Sequence, residues 1–282
     1  MTSVVGVDVG GTSTRAVCFD ADLRPMSTAT GPTPRGAAEV ADLVARLVGE
    51  VAVAPSAVAI GVPGRVDVAG GVVSSAVNLG IARSAPIGEL VGARVGAPVH
   101  VENDVNAAAL GTFAHLDLTS TQSLAYVNVG TGIAAGFVLA GRLWRGVTGA
   151  AGEIGHVPMQ VHGPACRCGQ SGCAEAVGAG WAVAGDPARR DDVVTATAWA
   201  VQLCVMTIDV DVVAVGGGMT QRQGFLSSLV SVITAREASS AMLADHAIAR
   251  RVVLAPADVP LGSLGAVLAM RQSGPEGMVG AP

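Results

Sequence analysis

No lysine occurs in the 282 residues; all 17 cationic side chains are arginines. A P-loop nucleotide site needs its lysine, so that class is excluded. Enzymes that form a Schiff base through lysine are excluded as well. Aromatic side chains are scarce, at 3% of a chain that is 50% hydrophobic. The core is therefore expected to consist of small Ala, Val and Gly residues packed closely. Charge is sparse too, at 14% with a formal net of −5. Such a chain is too apolar to be disordered. Its scattered arginines form no basic stripe, so nucleic acid is not an expected partner. The N-terminus lacks the basic start of a signal peptide, and Asp8 interrupts its apolar run. The uncharged stretch from Leu118 to Gly141 is long enough for a bilayer, but Gln122, Asn128 and four glycines interrupt it and it alternates as strands do. A soluble, cytoplasmic protein without a membrane partner is expected.

Cysteine usage is equally telling. Five is an odd number, and Cys166, Cys168 and Cys173 fall within eight residues. That spacing is no disulfide framework; it reads as a metal site in a reducing compartment. A tetrahedral zinc needs a fourth ligand, for which His156 and His162 are the local choices. Cys18 and Cys204 read as core residues. Four protein ligands would close the shell, which makes the metal structural.

The length suits one large domain or two of about 140 residues. Strands are predicted at Ser3 to Asp8, Thr14 to Phe19, Ala57 to Val62 and Pro98 to Val101, with a turn from Asp20 to Pro25. Val40, Leu43, Val44, Leu47 and Val48 fall on one face of a helix from Ala37 to Val51. A second helix runs from Asp104 to about Phe113. A glycine-rich, irregular segment fills Gly141 to Gly180. Beyond it come a helix from about Asp191 to Met206, a strand from Asp211 to Val215, a helix through Leu229, a strand from Val252 to Ala255 and a helix from Ser263 to Met270. The tail from Ser273 is read as frayed. Strands alternating with helices imply an α/β class. The segment Val5-Gly-Val-Asp-Val-Gly-Gly-Thr is echoed by Ala125-Tyr-Val-Asn-Val-Gly-Thr-Gly, which aligns Asp8 with Asn128 and Gly10 with Gly130. An echo at that distance suggests two similar domains.

Three glycine turns follow buried strands: Gly10-Gly11-Thr12, Gly130-Thr131-Gly132 and Gly216-Gly217-Gly218. Glycine permits φ > 0 and close backbone approach, and successive N–H groups then cradle an anion. Phosphate is the expected ligand. The segment Gly130 to Ala135 also fits a loose dinucleotide fingerprint, but a strand rather than a helix is predicted after it, and no acid stands at the required distance. Asp8, beside the first turn, either caps that turn or holds Mg²⁺ through water next to transferring phosphates. In Glu102-Asn103-Asp104, Asp104 either opens its helix as the N-cap or does chemistry. Gly152-Glu153-Ile154-Gly155-His156 places a carboxylate and an imidazole three residues apart.

The chain resembles the ROK sugar kinases, and among them the glucokinase-like members. The resemblance rests on Asp8-Val-Gly-Gly-Thr12, Glu102-Asn-Asp-Val-Asn-Ala-Ala-Ala109, Val129-Gly-Thr-Gly-Ile133 with Gly152-Glu-Ile-Gly-His156, and Cys166-Arg-Cys-Gly-Gln-Ser-Gly-Cys-Ala-Glu175. It implies an actin/hexokinase-like fold: two α/β domains of ribonuclease-H-like topology with an interdomain cleft. A smaller domain would comprise residues 1–111 and 262–282. A larger one, 112–261, would carry the zinc loop. The zinc ligands would be His156, Cys166, Cys168 and Cys173. Sugar hydroxyls would be held by Asn78, Asn103, Asp104, Glu153, His156 and Glu175. ATP would lie on Asp8, Gly10, Gly11, Thr12, Gly130, Thr131, Gly132, Gly216, Gly217 and Gly218, with Mg²⁺. His156 would bind zinc through one ring nitrogen and a sugar hydroxyl through the other.

The activity so implied is transfer of the γ-phosphate of ATP to the primary (6-) hydroxyl of a hexose, with Asp104 as general base and domain closure excluding water. The chain departs from the family pattern at Ser13, where Lys or Asn is usual. Ile81-Ala82-Arg83 stands where an aromatic is often found, and the stretch around Gly185 to Asp192 is reduced. Glucose, an amino-hexose or a sugar-like cyclitol are the acceptors these departures leave, and polyphosphate remains an alternative donor. Asp8 follows the start so closely that no DNA-binding helix-turn-helix is expected before it. A non-catalytic sugar-binding or regulatory protein is the competing reading. The family suggests a homo-oligomer, dimer or tetramer.

Overall fold

A computed structural model describes residues 3–184 and 186–274. The chain forms two compact units: one from residues up to 117, 145–150 and from 260 onward, the other from residues 118–144 and 151–259.

The first unit opens with β1 (Val4–Val9), β2 (Ser13–Phe19) and β3 (Pro25–Pro32), followed by α1 (Ala37–Val51) and β4 (Ala57–Val62). A short hairpin, β5 (Arg65–Asp67) and β6 (Val72–Ser74), leads to α2 (Ile87–Val95), β7 (Val99–Asn103) and α3 (Asp104–His115). The sheet order is β3-β2-β1-β4-β7. β1, β4 and β7 run parallel, and β2 and β3 are antiparallel additions. α1 forms because its apolar residues recur at helical spacing: Val40, Leu43, Val44, Leu47 and Val48 are all buried against the sheet.

The second unit repeats the plan. β8 (Leu124–Val129), β9 (Ile133–Leu139) and β10 (Arg142–Trp144) are followed by α4 (Ala174–Gly178), α5 (Arg190–Ile208) and β11 (Val212–Gly216). α6 (Phe225–Ala238), α7 (Ala241–His246), α8 (Ile248–Arg251) and β12 (Val252–Leu254) complete it. Its sheet order is β10-β9-β8-β11-β12, with the same pattern of parallel and antiparallel pairs. The sequence echo is therefore a repeat of topology. Asp8 pairs with Arg15 on the antiparallel side and Gly61 on the parallel side, and Asn128 pairs correspondingly with Ala134 and Gly216.

The last helix, α9 (Leu261–Ser273), returns to the first unit and packs on α3, β1 and β4. Small residues allow the approach. A Cβ at Gly265 would fall 1.6 Å from the Ala107 carbonyl oxygen, and one at Gly111 would fall 2.0 Å from that of Leu261. Each unit has its own core, of mostly Val, Ala and Ile, as the scarcity of aromatics implies.

Several elements depart from expectation. β3, β5, β6, α2, α7 and α8 are additional. The segment read as irregular, Gly141 to Gly180, contains β10 and α4. β9 is a strand, so the dinucleotide fingerprint lacks its helix. Residues 275–282 of the tail and Gly185 of the reduced stretch lie outside the described residues.

Candidate active site

In the first unit, the parallel strands end beside the first glycine turn. Gly10 N–H is bonded to the Ser13 carbonyl within that turn. Asn78 lies in a 3-10 turn (Val77–Leu79) with its Cβ against Gly11, so it joins the turn's surroundings. The carboxylate of Asp8 lies against Gly262 at the start of α9. Burial pushes its pKa up from 3.8 to about 6, partly offset by Arg15. Such a carboxylate fits a cation arriving with its ligand.

β7 delivers Glu102, Asn103 and Asp104 to the start of α3. The helix cap is Asn103, not Asp104. Asn103 Oδ1 accepts from the Val105 and Asn106 N–H groups, each at 3.0 Å. Its Nδ2 donates to Gly64 O and to Asp104 Oδ1, both at 3.1 Å. The capping role that competed for Asp104 is thus filled by its neighbour. Asp104 stands in the first turn, where an anion suits the helix end.

Glu102 was given no role by sequence reasoning, yet it is only 1% exposed. Its carboxylate accepts from Asn103 N–H at 2.9 Å, Asn106 Nδ2 at 3.2 Å and Arg145 Nε at 2.7 Å. A buried carboxylate with that many donors fixes the strand end that presents Asn103 and Asp104. The signal available in sequence was its place in the Glu-Asn-Asp triplet. Arg145, which returns from the other half of the sequence, gave none.

In the second unit, the first residue of β9 is the anchor. The Ile133 N–H donates to Glu175 Oε2 at 3.1 Å. The Ile133 carbonyl lies so close to Gly155 that a Cβ there would meet it at 2.0 Å. One residue thus positions both Glu175 and the loop that bears Glu153 and His156. Glu175 Oε1 accepts from Trp181 Nε1 at 3.2 Å. His156 Nε2 faces Glu153 Oε2 at 3.9 Å, while Nδ1 is turned to Cys166 Sγ at 3.6 Å.

The ligand atoms of His156, Cys166, Cys168 and Cys173 lie within 4.8 Å of one another. Cys168 Sγ and Cys173 Sγ are 3.7 Å apart. Zinc bonds of about 2.3 Å to sulfur and about 2.0 Å to nitrogen require tetrahedral edges of about 3.8 Å (S–S) and about 3.5 Å (N–S). The Cys168–Cys173 and His156–Cys166 separations are close to those edges, and all four donors suit zinc. His162, the other candidate, is not in the cluster. The thiols differ: the Gln170 backbone N–H brings Cys168 down to about 6, whereas burial pushes Cys173 up to about 12 and raises Cys166.

The remaining glycine turns also belong to this unit. Among the three predicted phosphate turns, only Gly217 has a positive φ, at 98°. Gly10, Gly132 and Gly216 instead leave no room for a Cβ: one at Gly132 would meet Glu175 Oε2 at 2.5 Å, and one at Gly216 the Tyr126 hydroxyl at 2.3 Å, whereas Gly218 has open space. Gly130 O and Thr131 O accept from the Gly180 and Trp181 N–H groups. Beyond Gly218, a cavity of about 620 Å³ is lined by Thr220, Gln221, Phe225, Val230 and Leu254.

The sequence pattern of the ROK family matches residues 4–197. Over 185 residues the chain is 36% identical to a glucokinase of Streptomyces coelicolor, which covers 65% of this chain and 58% of that protein. Among solved structures, the ROK hexokinase of Thermus thermophilus superposes with a TM-score of 0.75 at 31% identity, over 95% of this chain and 97% of that one. A ROK family glucokinase from Streptomyces griseus, in complex with glucose and AMPPNP, gives 0.82 at 27% identity, over 95% and 99%. No helix among the described residues is long and apolar enough to cross a membrane.

Proposed function

The chain belongs to the ROK family, and on that footing we propose that it is a sugar kinase that transfers the γ-phosphate of ATP to the primary hydroxyl of glucose or a related hexose, amino-hexose or cyclitol. The glucokinase and hexokinase relatives support this class of reaction. The observation that carries the residue assignment is the division of labour at the start of α3. Asn103 does the capping, which releases Asp104 from that duty and holds its Oδ1.

Asp104 is the general base. It takes the proton of the acceptor hydroxyl as that oxygen bonds to the γ-phosphorus and the bond to the β-phosphate bridging oxygen breaks, releasing ADP. Asn78, Asn103, Glu153, His156 and Glu175 hold sugar hydroxyls. Asn103 Nδ2 donates to Gly64 O and Asp104 Oδ1, so a sugar hydroxyl that accepts from it would replace one of these partners. The turn N–H groups other than those of Gly10 and Gly130, which bond within their own turns, meet the phosphates together with the turn hydroxyls, and the cavity beyond Gly218 has a volume suited to the nucleoside. Asp8 would hold Mg²⁺, which would supply positive charge to the phosphates. His156, Cys166, Cys168 and Cys173 would hold zinc, which would fix the orientation of the His156 ring, while its Nε2, on the side of Glu153, would serve the sugar.

The test is sugar-stimulated ADP release from ATP across hexoses, amino sugars and cyclitols. Asp104→Asn is expected to lower kcat by at least ~10²-fold with folding unchanged. A near-normal rate removes Asp104 from its role. No ADP release with any acceptor would instead favour a non-catalytic sugar-binding protein.

A further inference from the structure

We infer that Trp181 is a positioning residue that sets the Glu175 carboxylate and couples it to the cysteine loop through Arg167. This rests on the reading of Glu175 as a sugar ligand and adds what holds it.

Glu175 is not oriented by its own short helix alone. Two donors from different segments fix its two oxygens: the Ile133 N–H at the start of β9 takes Oε2, and the Trp181 indole takes Oε1 at 3.2 Å. Trp181 is in turn held on three sides. Its backbone N–H donates to the Thr131 carbonyl of the second glycine turn at 3.3 Å. Its side chain packs against the cluster of Cys166, Cys173 and Ala176. The Arg167 guanidinium sits over its ring, 4.3 Å from the centroid. Arg167 lies between Cys166 and Cys168, so any ordering of that loop by a metal is passed to the indole as a fixed position of its cationic cover. The indole N–H is a directional donor that Phe cannot replace, whereas the packing face is one Phe retains. The bulky ring thus has two separable duties: one end is wedged against the thiols, and the other pins a carboxylate.

The experiment uses the full chain loaded with zinc. Trp181→Phe is expected to raise the KM for glucose ~10- to 100-fold, the scale for a donor lost from a charged acceptor. Its kcat, zinc content and thermal midpoint should remain close to those of the unsubstituted chain. A KM within two-fold would overturn the proposal. Arg167→Ala should shift KM in the same direction by less, and its effect should largely vanish when Trp181 is already Phe.

A second readout needs no activity. The chain has three tryptophans, so three indole N–H resonances are expected, and Trp181→Phe identifies one. That resonance should move on Glu175→Gln, on Arg167→Ala and on zinc chelation. Indifference to Glu175→Gln overturns the contact, and indifference to both Arg167→Ala and chelation overturns the coupling. If the unsubstituted chain phosphorylates no acceptor, the kinase reading fails, while the indole resonance still decides the role of Trp181.

Discussion

Asp8 shows how burial of one carboxylate becomes a cost to folding. Its carboxyl titrates near 6 in the folded chain against 3.8 when free. The folded state therefore binds more protons than the unfolded state between those values, and stability declines as pH rises through that window. Above pH 6 the full cost stands, up to about 3 kcal/mol at about 1.4 kcal/mol per pKa unit. Asp8→Asn is expected to raise the thermal midpoint at pH 7.5, leave it unchanged at pH 3.5, and weaken ATP use. Thermal melts at the two pH values check the sign; an equal shift at both would refute it. The sequence singles out Asp8 and Asp104 because each stands where a strand gives way to a turn or a helix: Asp8 is next to last in β1, and Asp104 is the first residue of α3. It could not say which member of Asn103-Asp104 caps α3, because both side chains suit an N-cap and only the backbone direction decides between them.

Helix packing in the first unit depends on absent side chains. α3 and α9 meet at Gly111 and Gly265, where a methyl group would overlap backbone atoms. Gly265→Ala must push the helices apart, at a cost of about 1–3 kcal/mol or more. Gly49→Ala, on the exposed side of α1 with nothing within 4 Å, should stabilise by about 0.5–1 kcal/mol through helix propensity. Chemical denaturation of both variants tests the contrast, and equal effects would contradict it. The same contrast explains which elements were legible. α1 was read with its observed bounds because its buried stripe repeats at helical spacing. β3 was missed because it is an edge strand, partly exposed, with prolines at both ends. α2 was missed because Gly88 and Gly92 dilute its apolar pattern and only Ile87 and Val91 are buried. Gly6, Gly111 and Gly265 carry no pattern at all; their meaning lies in a neighbour far along the chain.

The duplicated sheets give each unit a separate core, and the cysteine cluster belongs wholly to the second. Zinc removal should therefore act unequally. Chelation is expected to expose amides around residues 154–181 to hydrogen exchange while those of β1, β4 and α1 keep their protection, and to raise the sugar KM. Uniform loss of protection, or full activity without zinc, would count against this. The two units also differ in how their pieces are ordered along the chain. Residues 118–144 and 151–259 leave the ribosome as a nearly continuous run, ready to fold as they emerge. The opening strands wait longer, because α9, the helix that covers β1 and β4, is translated after the whole of the second unit. The half made first is thus the half finished second, and a ribosome stalled before residue 261 would hold an N-terminal sheet with one side covered by α3 alone.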